Sequence, residues 1–477
     1  MFLIRVVPIM FSSLFLLSAC GGGGGGKSST VSSQIVQPPA VAPVKPSWKD
    51  TGSLGNNILV LSGDNADALR YIEKIDANGG ITTLTPVLVA GGKIAQFSLS
   101  PDGKKIVYIA DQETDNTYEL YLMNTDGLFN KKISNSKITG DIKSVRWSID
   151  SQYLIYSEEI DLTTQKYYIK KFSDDTSFEI SYKSSSNITY EISSIHFNGN
   201  GEDYSYLATG TTDSHLITSN LTSNTIKRDY LIEKVLSNGA TFSYSGKYIA
   251  YELGGLSDAV QYVRDTESGV ESVINQTTDF ITWWSPKEDK LVTFDFDYLS
   301  IYDPALDASQ TALDLSDNNT TFVSWNNFWE KNNDYAIFSV RGMIDDLHVV
   351  PLNGGTEFQL KKLIGADQAV DTFQVSHAGK LLVLTEDKNL FTLNLDGSDI
   401  QNLNGLTNFN NVRKISWSSD STHAIFMQYD SDRATYLLHK IDLSTGEATN
   451  IPTQKTNSCF VLENNSDRQC VSFFDER

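Results

Sequence analysis

Cysteine is almost absent from this chain, with three in 477 residues, so a disulfide-dense scaffold is excluded. Positive charge is also short. Thirty-eight Lys and Arg stand against 59 Asp and Glu, a net charge of −21. No basic stripe interrupts that excess, which argues against nucleic acid and anionic lipid headgroups as partners of the folded part. Long apolar runs are missing beyond residue 20, so no membrane span is expected there. Proline is sparse at 11, and four of these (Pro38, Pro39, Pro43, Pro46) crowd into one segment. What the chain has instead is 40% hydrophobic residues, 11% aromatics and 32 glycines. That is enough apolar material for a sizeable core, which excludes a wholly disordered chain. The aromatics suit sheets better than helical bundles.

The first residues, MFLIRVVPIMFSSLFLLSAC, place one cation, Arg5, before an apolar stretch from Val6 to Leu17. Small residues and Cys20 follow. This is the layout of a secretory signal peptide, and the apolar part is too short to span a bilayer. Leu17-Ser18-Ala19-Cys20 resembles the lipobox of bacterial lipoproteins. The resemblance implies a signal peptide over 1–19, cleavage between Ala19 and Cys20, and acylation of Cys20. Gly21 follows the cysteine where an Asp would imply retention at the inner membrane, so the outer membrane is favoured, with the leaflet left open. Several acyl chains anchor stably where one is marginal. The bland alternative is an ordinary signal peptide with a chance cysteine. Residues 20–55 then read as a tether. Gly21 to Gly26 is an unbroken glycine run, and Lys27 to Lys45 is rich in Ser, Gln, Val and Pro. Such a segment has no periodic apolar face and reaches roughly 30 Å as a coil.

From 56 to 477 the chain repeats itself. The clearest unit is FSLSPDGKKIVYIADQETDNTYELYLMNTDG at 97–127. It reads as a strand, a Ser-Pro-Asp-Gly turn, a strand Lys105 to Ala110, a polar loop, and a strand Glu119 to Asn124 closed by Asp126-Gly127. In the turn, Pro101 presets φ, Asp102 can bond the backbone, and Gly103 takes positive φ, as does Gly246 in its own unit. The residue before each such turn is Leu99, Trp147, Phe197, Phe242, Trp284, Trp325, Val375 or Trp417, with successive anchors 41 to 50 residues apart. The units around Phe197 and Trp325 are the weakest. A period of this length with several short strands per unit is that of propeller blades. Asp67 to Asp76 has helical propensity, but it occupies a strand position of the repeat and is read as a strand.

SPDGKKIVY with ELYLMNTDG resembles the TolB-type member of the WD-like propeller repeats. The resemblance implies an all-β chain folded as a single β-propeller of four-stranded antiparallel blades. Nine hairpins can be counted. Eight blades is the expectation, within a range of seven to nine, because nine is rare. Residues 57–89 lack the inner strand that precedes the turn. A tail strand is expected to supply it, with Cys470 to Phe474 as the candidate.

The chemistry is thinner. Once Cys20 is set aside, Cys459 and Cys470 remain, symmetric about Asn464-Asn465. In an extracytoplasmic chain they are expected to form a disulfide worth about 3 kcal/mol; two free buried thiols is the alternative. No G-x-S-x-G elbow occurs. Ser134 to Lys137, Ser316 to Asn318 and Lys455 to Asn457 only faintly match the penicillin-binding set and are read as chance. The six histidines (196, 215, 348, 377, 423, 439) form no ligand-spaced pair. Asp295 with Asp297, and Asp430 with Asp432, lack the rest of a calcium loop. No cofactor, metal or catalytic residue is therefore assigned, and the expectation is a chain that is not an enzyme. TolB-like proteins are periplasmic partners in envelope complexes, so the resemblance implies a lipid-anchored module that binds an envelope protein or polymer. An envelope enzyme acting on carbohydrate or a small molecule at the channel mouth, and a structural surface lipoprotein, are the alternatives.

Overall fold

In the second strand of the clearest repeat, Lys105–Ala110, every residue is buried. Ile106, Tyr108 and Ala110 enter one hydrophobic cluster, while Val107 and Ile109 enter another. A strand with no wet face needs a packed neighbour on each side. The computed structural model supplies those neighbours. It describes residues between 58 and 462, apart from short stretches in the connections and in several strands; residues 1–57 and 463–477 lie outside the described residues.

The described chain is almost entirely strand. Each repeat forms an antiparallel meander, and nine such sheets follow one another. Sheet 2 runs Ile94–Leu99, Lys105–Ala110, Glu119–Asn124 and Lys131–Lys132. Sheet 3 runs Asp141–Trp147, Tyr153–Glu159, Gln165–Lys171 and Thr176–Ile180. Sheets 4, 5 and 6 begin at Glu191, Ala240 and Ile281, and sheets 8 and 9 at Val370 and Val412. Sheet 7 is the irregular one. Its first position is split between Phe322–Val323 and Phe328–Trp329, which both pair with Tyr335–Arg341. Trp325 lies between them, outside the described residues. The single helix among the described residues, Leu360–Ile364, follows that sheet.

The expected all-β propeller of four-stranded antiparallel blades is the architecture found. Nine sheets agree with the raw count of hairpins and exceed the eight expected. Asp67 to Asp76 contains the strand Leu69–Ile75, because its backbone is paired on both sides, to Ile58–Gly63 and to Ile81–Thr83. Tertiary pairing here overrides local helical propensity.

The ring closes through the tail. Sheet 1 has the order Ile81–Thr83, Leu69–Ile75, Ile58–Gly63, Val461–Leu462. Val461 pairs with Leu61, and Leu462 with Val60. A C-terminal strand thus fills the inner position that the N-terminal segment leaves open, as expected in kind. The segment that does so is Val461–Leu462; the candidate at 470–474 lies outside the described residues.

The seams follow the same logic. Leu154 and Tyr156 face sheet 2, whereas Tyr153 and Ile155 face sheet 4. Ile249 and Tyr251 face sheet 4, and Tyr248 and Ala250 face sheet 6. Leu381 and Val383 join sheet 7, and Leu382 and Leu384 join sheet 9. Each such side chain is worth about 1.5–3 kcal/mol when fully buried. The anchors Trp147 and Trp417 are buried at these seams. Trp284 and Trp417 each donate their indole N–H to a carbonyl of the preceding sheet, Thr241 at 2.9 Å and Gln374 at 3.2 Å.

Candidate binding face

In sheets 2, 3, 4, 5 and 9 the turn after the first strand and the turn after the third meet at the same end of the sheet. The hydrogen bonds show this directly. In sheet 2, Thr125 of the outer turn donates its N–H to Lys104 O of the inner turn, and Phe172 to Gln152, Leu221 to Glu202, Thr266 to Lys247 and Leu443 to Thr422 repeat the link. Inner turns are also tied between sheets. Asp102 N donates to Ser151 Oγ at 3.0 Å, Ala378 N to Ser421 Oγ at 3.2 Å, and Ser245 N to Asp289 Oδ1 at 2.9 Å. Gly199 N donates to Tyr244 O at 2.5 Å, and the Tyr244 hydroxyl donates back to Gly199 O at 3.0 Å. The face is a hydrogen-bonded belt rather than a set of loose loops.

Beneath it lies a feature that sequence inspection passed over. The residue after each of seven anchors is a buried polar one: Ser100, Ser148, Asn198, Ser243, Ser285, Ser376 and Ser418. Five of the serine hydroxyls accept the N–H that opens the second strand, from Lys105, Tyr153, Tyr248, Lys380 and His423. The signal was present as a serine after six of the anchors, but a lone serine has no periodicity to mark it. The fourth residue past the anchor has positive φ at Gly103, Ser151, Gly201, Gly246, Gly379 and Ser421. Glycine adopts this readily and serine does so at a cost. Ser151 and Ser421 are the two serines whose hydroxyls tie neighbouring turns.

The outer turns carry much of the acidity. Asp126, Asp174, Asp265, Asp303, Asp396 and Asp442 each accept the backbone N–H two residues on. This is the Asx turn, and it gives aspartates a structural use at regular intervals. Four of them, Asp174, Asp265, Asp396 and Asp442, are held below the usual carboxylate range. The Lys171 ammonium and the Thr176 hydroxyl bring Asp174 down to about 2. Hydroxyls of Ser398 and Ser444 lower Asp396 and Asp442, and Tyr302 lowers Asp307. Among the described residues, the partners of Asp150, Asp303, Asp307 and Asp396 are hydroxyls and backbone N–H groups.

Apolar tips stand among these charges. Leu128, Ile149, Val270 and Leu306 are 56%, 64%, 65% and 74% exposed. Phe129, Ile226 and Ile400 lie exposed at the ends of the same turns. Seven of the twelve large exposed hydrophobics among the described residues therefore sit on one face. Ile149 adjoins Asp150, and Leu306 lies between Asp303 and Asp307.

The residues singled out for modification fall elsewhere. Ala19, Cys20, Cys459 and Cys470 lie outside the described residues, as do His377 and Asp297. His196 and His439 are held neutral, with pKa values brought down to about 4 by burial, assisted at His196 by the nearby Arg146 charge. His215 is the histidine with the most built surroundings. Its Nδ1 lies 2.6 Å from Asp229 Oδ1 and 3.0 Å from the Tyr182 hydroxyl, which donates to Asp229 Oδ2 at 2.7 Å. The Tyr190 ring meets it edge-on at 5.2 Å. The carboxylate and the hydroxyl together fix the orientation of the imidazole ring. Nothing in the sequence marked this group, because its members lie 14 to 47 residues apart. Among the described residues no cluster of three His, Cys, Asp or Glu is suited to a metal ion, and no helix is long and apolar enough to cross a membrane.

No protein-family model matches the chain, and no curated protein matches it. Solved structures are similar in fold. One is a eukaryotic initiation factor, at TM-score 0.54 and 10% identity, over 87% of this chain and 98% of that one. A second is dipeptidyl peptidase 4 of Porphyromonas gingivalis, at TM-score 0.48 and 12% identity, over 85% of this chain and 60% of that one. A third is the β-propeller domain of the Trilobed protease from Pyrococcus furiosus, at TM-score 0.39 and 10% identity, over 76% of this chain and 99% of that one. The expectation that the chain is not an enzyme is corrected by these neighbours, which include peptidases. The lack of a contiguous catalytic motif does not place a chain of this fold outside the enzymes, since its turns and loops converge from distant positions, as around His215. At these identities the likeness is one of fold.

Proposed function

We propose that this chain is a TolB-like, lipid-anchored propeller of the bacterial cell envelope, and that its turn face binds a protein or polymer partner. The lipobox at Leu17 to Cys20 and the glycine run after it support the anchor at the outer membrane. The observation that carries the binding role is the gathering of exposed apolar tips on a face whose backbone is tied down by hydrogen bonds. Exposed apolar groups on a rigid frame bind without a large ordering cost. The test is site-specific photo-crosslinking in the envelope, with a photoreactive residue at Ile149 or Leu306 and, as the rim control, at Val273. A discrete adduct from the turn positions and none from Val273 is expected. Equal labelling from both, or none from either, overturns the reading.

A further inference from the structure

We infer that the turn face takes a cationic amphipathic segment of a protein partner. This deepens the binding role proposed above and rests on it. The argument is charge complementarity. On three of the nine sheets an exposed apolar tip lies within four residues of a carboxylate whose partners among the described residues are hydroxyls and backbone N–H groups: Ile149 with Asp150, Leu306 with Asp303 and Asp307, and Ile400 with Asp396. A complementary surface must present apolar side chains interleaved with Lys or Arg. An acidic or purely hydrophilic partner leaves the tips in water, and a neutral apolar one desolvates the carboxylates without replacement. An anionic membrane is disfavoured because the same carboxylates repel its headgroups. These aspartates are spent on their own turns, so each holds its charge in place before a partner arrives. That preorganisation distinguishes the face from an ordinary solvated acidic surface.

The test uses the full chain in zwitterionic nanodiscs, with empty nanodiscs as the blank. The probes are three synthetic peptides of one length: an amphipathic Lys/Leu helix, its Glu/Leu counterpart, and a Lys/Ser peptide of the same charge. Saturable binding of Lys/Leu alone is expected, weakening as salt rises. Replacing Leu128, Ile149 and Leu306 together by Ser should weaken it at least tenfold. The pair Leu231→Ser with Val273→Ser, at the rim, should change it less than twofold. Asp303→Asn with Asp396→Asn keeps the oxygen that caps each turn and removes the charge, and should flatten the salt dependence. Equal binding of Lys/Ser shows attraction to net charge only and overturns the inference. So do binding of Glu/Leu, or indifference to the turn substitutions. Circular dichroism of each variant confirms that the sheets are retained. If turn-face crosslinking to an envelope protein succeeds but the Lys/Leu peptide does not compete with it, the binding role stands and this partner chemistry fails. If crosslinking fails, the binding role fails first.

Discussion

Ser421 shows how one residue can hold two opposed demands. Its φ is 60°, where glycine is favoured, yet its hydroxyl accepts the N–H of Ala378 from the neighbouring turn. Ser421→Ala keeps the strained backbone and removes the bond, so a loss of about 1–2 kcal/mol is expected. Ser421→Gly removes both, and its denaturation midpoint should stay within about 0.5 kcal/mol of the parent. His439 poses a different question. It lies opposite Phe426 and stacks on it at 5.2 Å, in the register taken by the pairs Tyr108 with Tyr121, Tyr156 with Tyr168, and Tyr251 with Tyr262. Burial brings its pKa down to about 4, below the ordinary value near 6.5. The unfolded chain therefore takes up the proton first. Stability from this residue is complete above about pH 6.5 and declines as pH falls toward 4. His439→Phe should lessen the fall in Tm between pH 7 and pH 5 by the equivalent of about 1 kcal/mol.

Among the elements, the tail strand and the seam tryptophans decide whether the ring holds. Val461–Leu462 is short, but it covers an edge of Ile58–Gly63 that otherwise stands open to other chains. Deleting residues 456–477 should lower Tm and raise the light scattering of heated samples. A truncated chain as stable as the parent would show that the pairing is dispensable. Trp417→Ala removes a buried ring and a bond to Gln374, a cost of about 3–5 kcal/mol. Trp417→Phe keeps most of the packing and should cost about a third of that, measured by urea midpoint. Much of this was legible beforehand. The bulky apolar anchor before each turn and the period of the repeat identified the inner strand of each blade, and the missing first strand pointed to the tail. The identity of the closing segment was not legible. Val461–Leu462 and the 470–474 segment are both β-prone in sequence, and the pairing of Val461 with Leu61 joins residues too far apart in the chain for sequence to register.

For the whole molecule, the acidity has two sources of meaning. Part of the excess of carboxylates is turn chemistry, repeated sheet by sheet, and part of its effect is the field those turns present on one face. The proposed anchor makes a separate prediction. Cys20→Ser should release the chain from the membrane fraction and abolish acyl labelling, with far-UV circular dichroism unchanged. Retention in high salt would mean another anchor.

The sequence by itself determined the repeat, the strand class and the turn types, because these depend on residues close together in the chain: apolar alternation, an aromatic anchor, Pro-Asp-Gly. Whatever depends on residues distant along the chain was settled only by folding. Nine sheets stand among the described residues, where the rarity of nine blades had favoured eight. Folding joined Ser151 to Asp102 and Ser421 to Ala378, turned scattered aspartates and exposed aliphatics into one face, and gathered Tyr182, His215 and Asp229. The serine ties and the bonds of Tyr182 span 33 to 49 residues, and His215 meets Asp229 across paired strands of one sheet, so chain folding and not local sequence brings these groups within hydrogen-bond range.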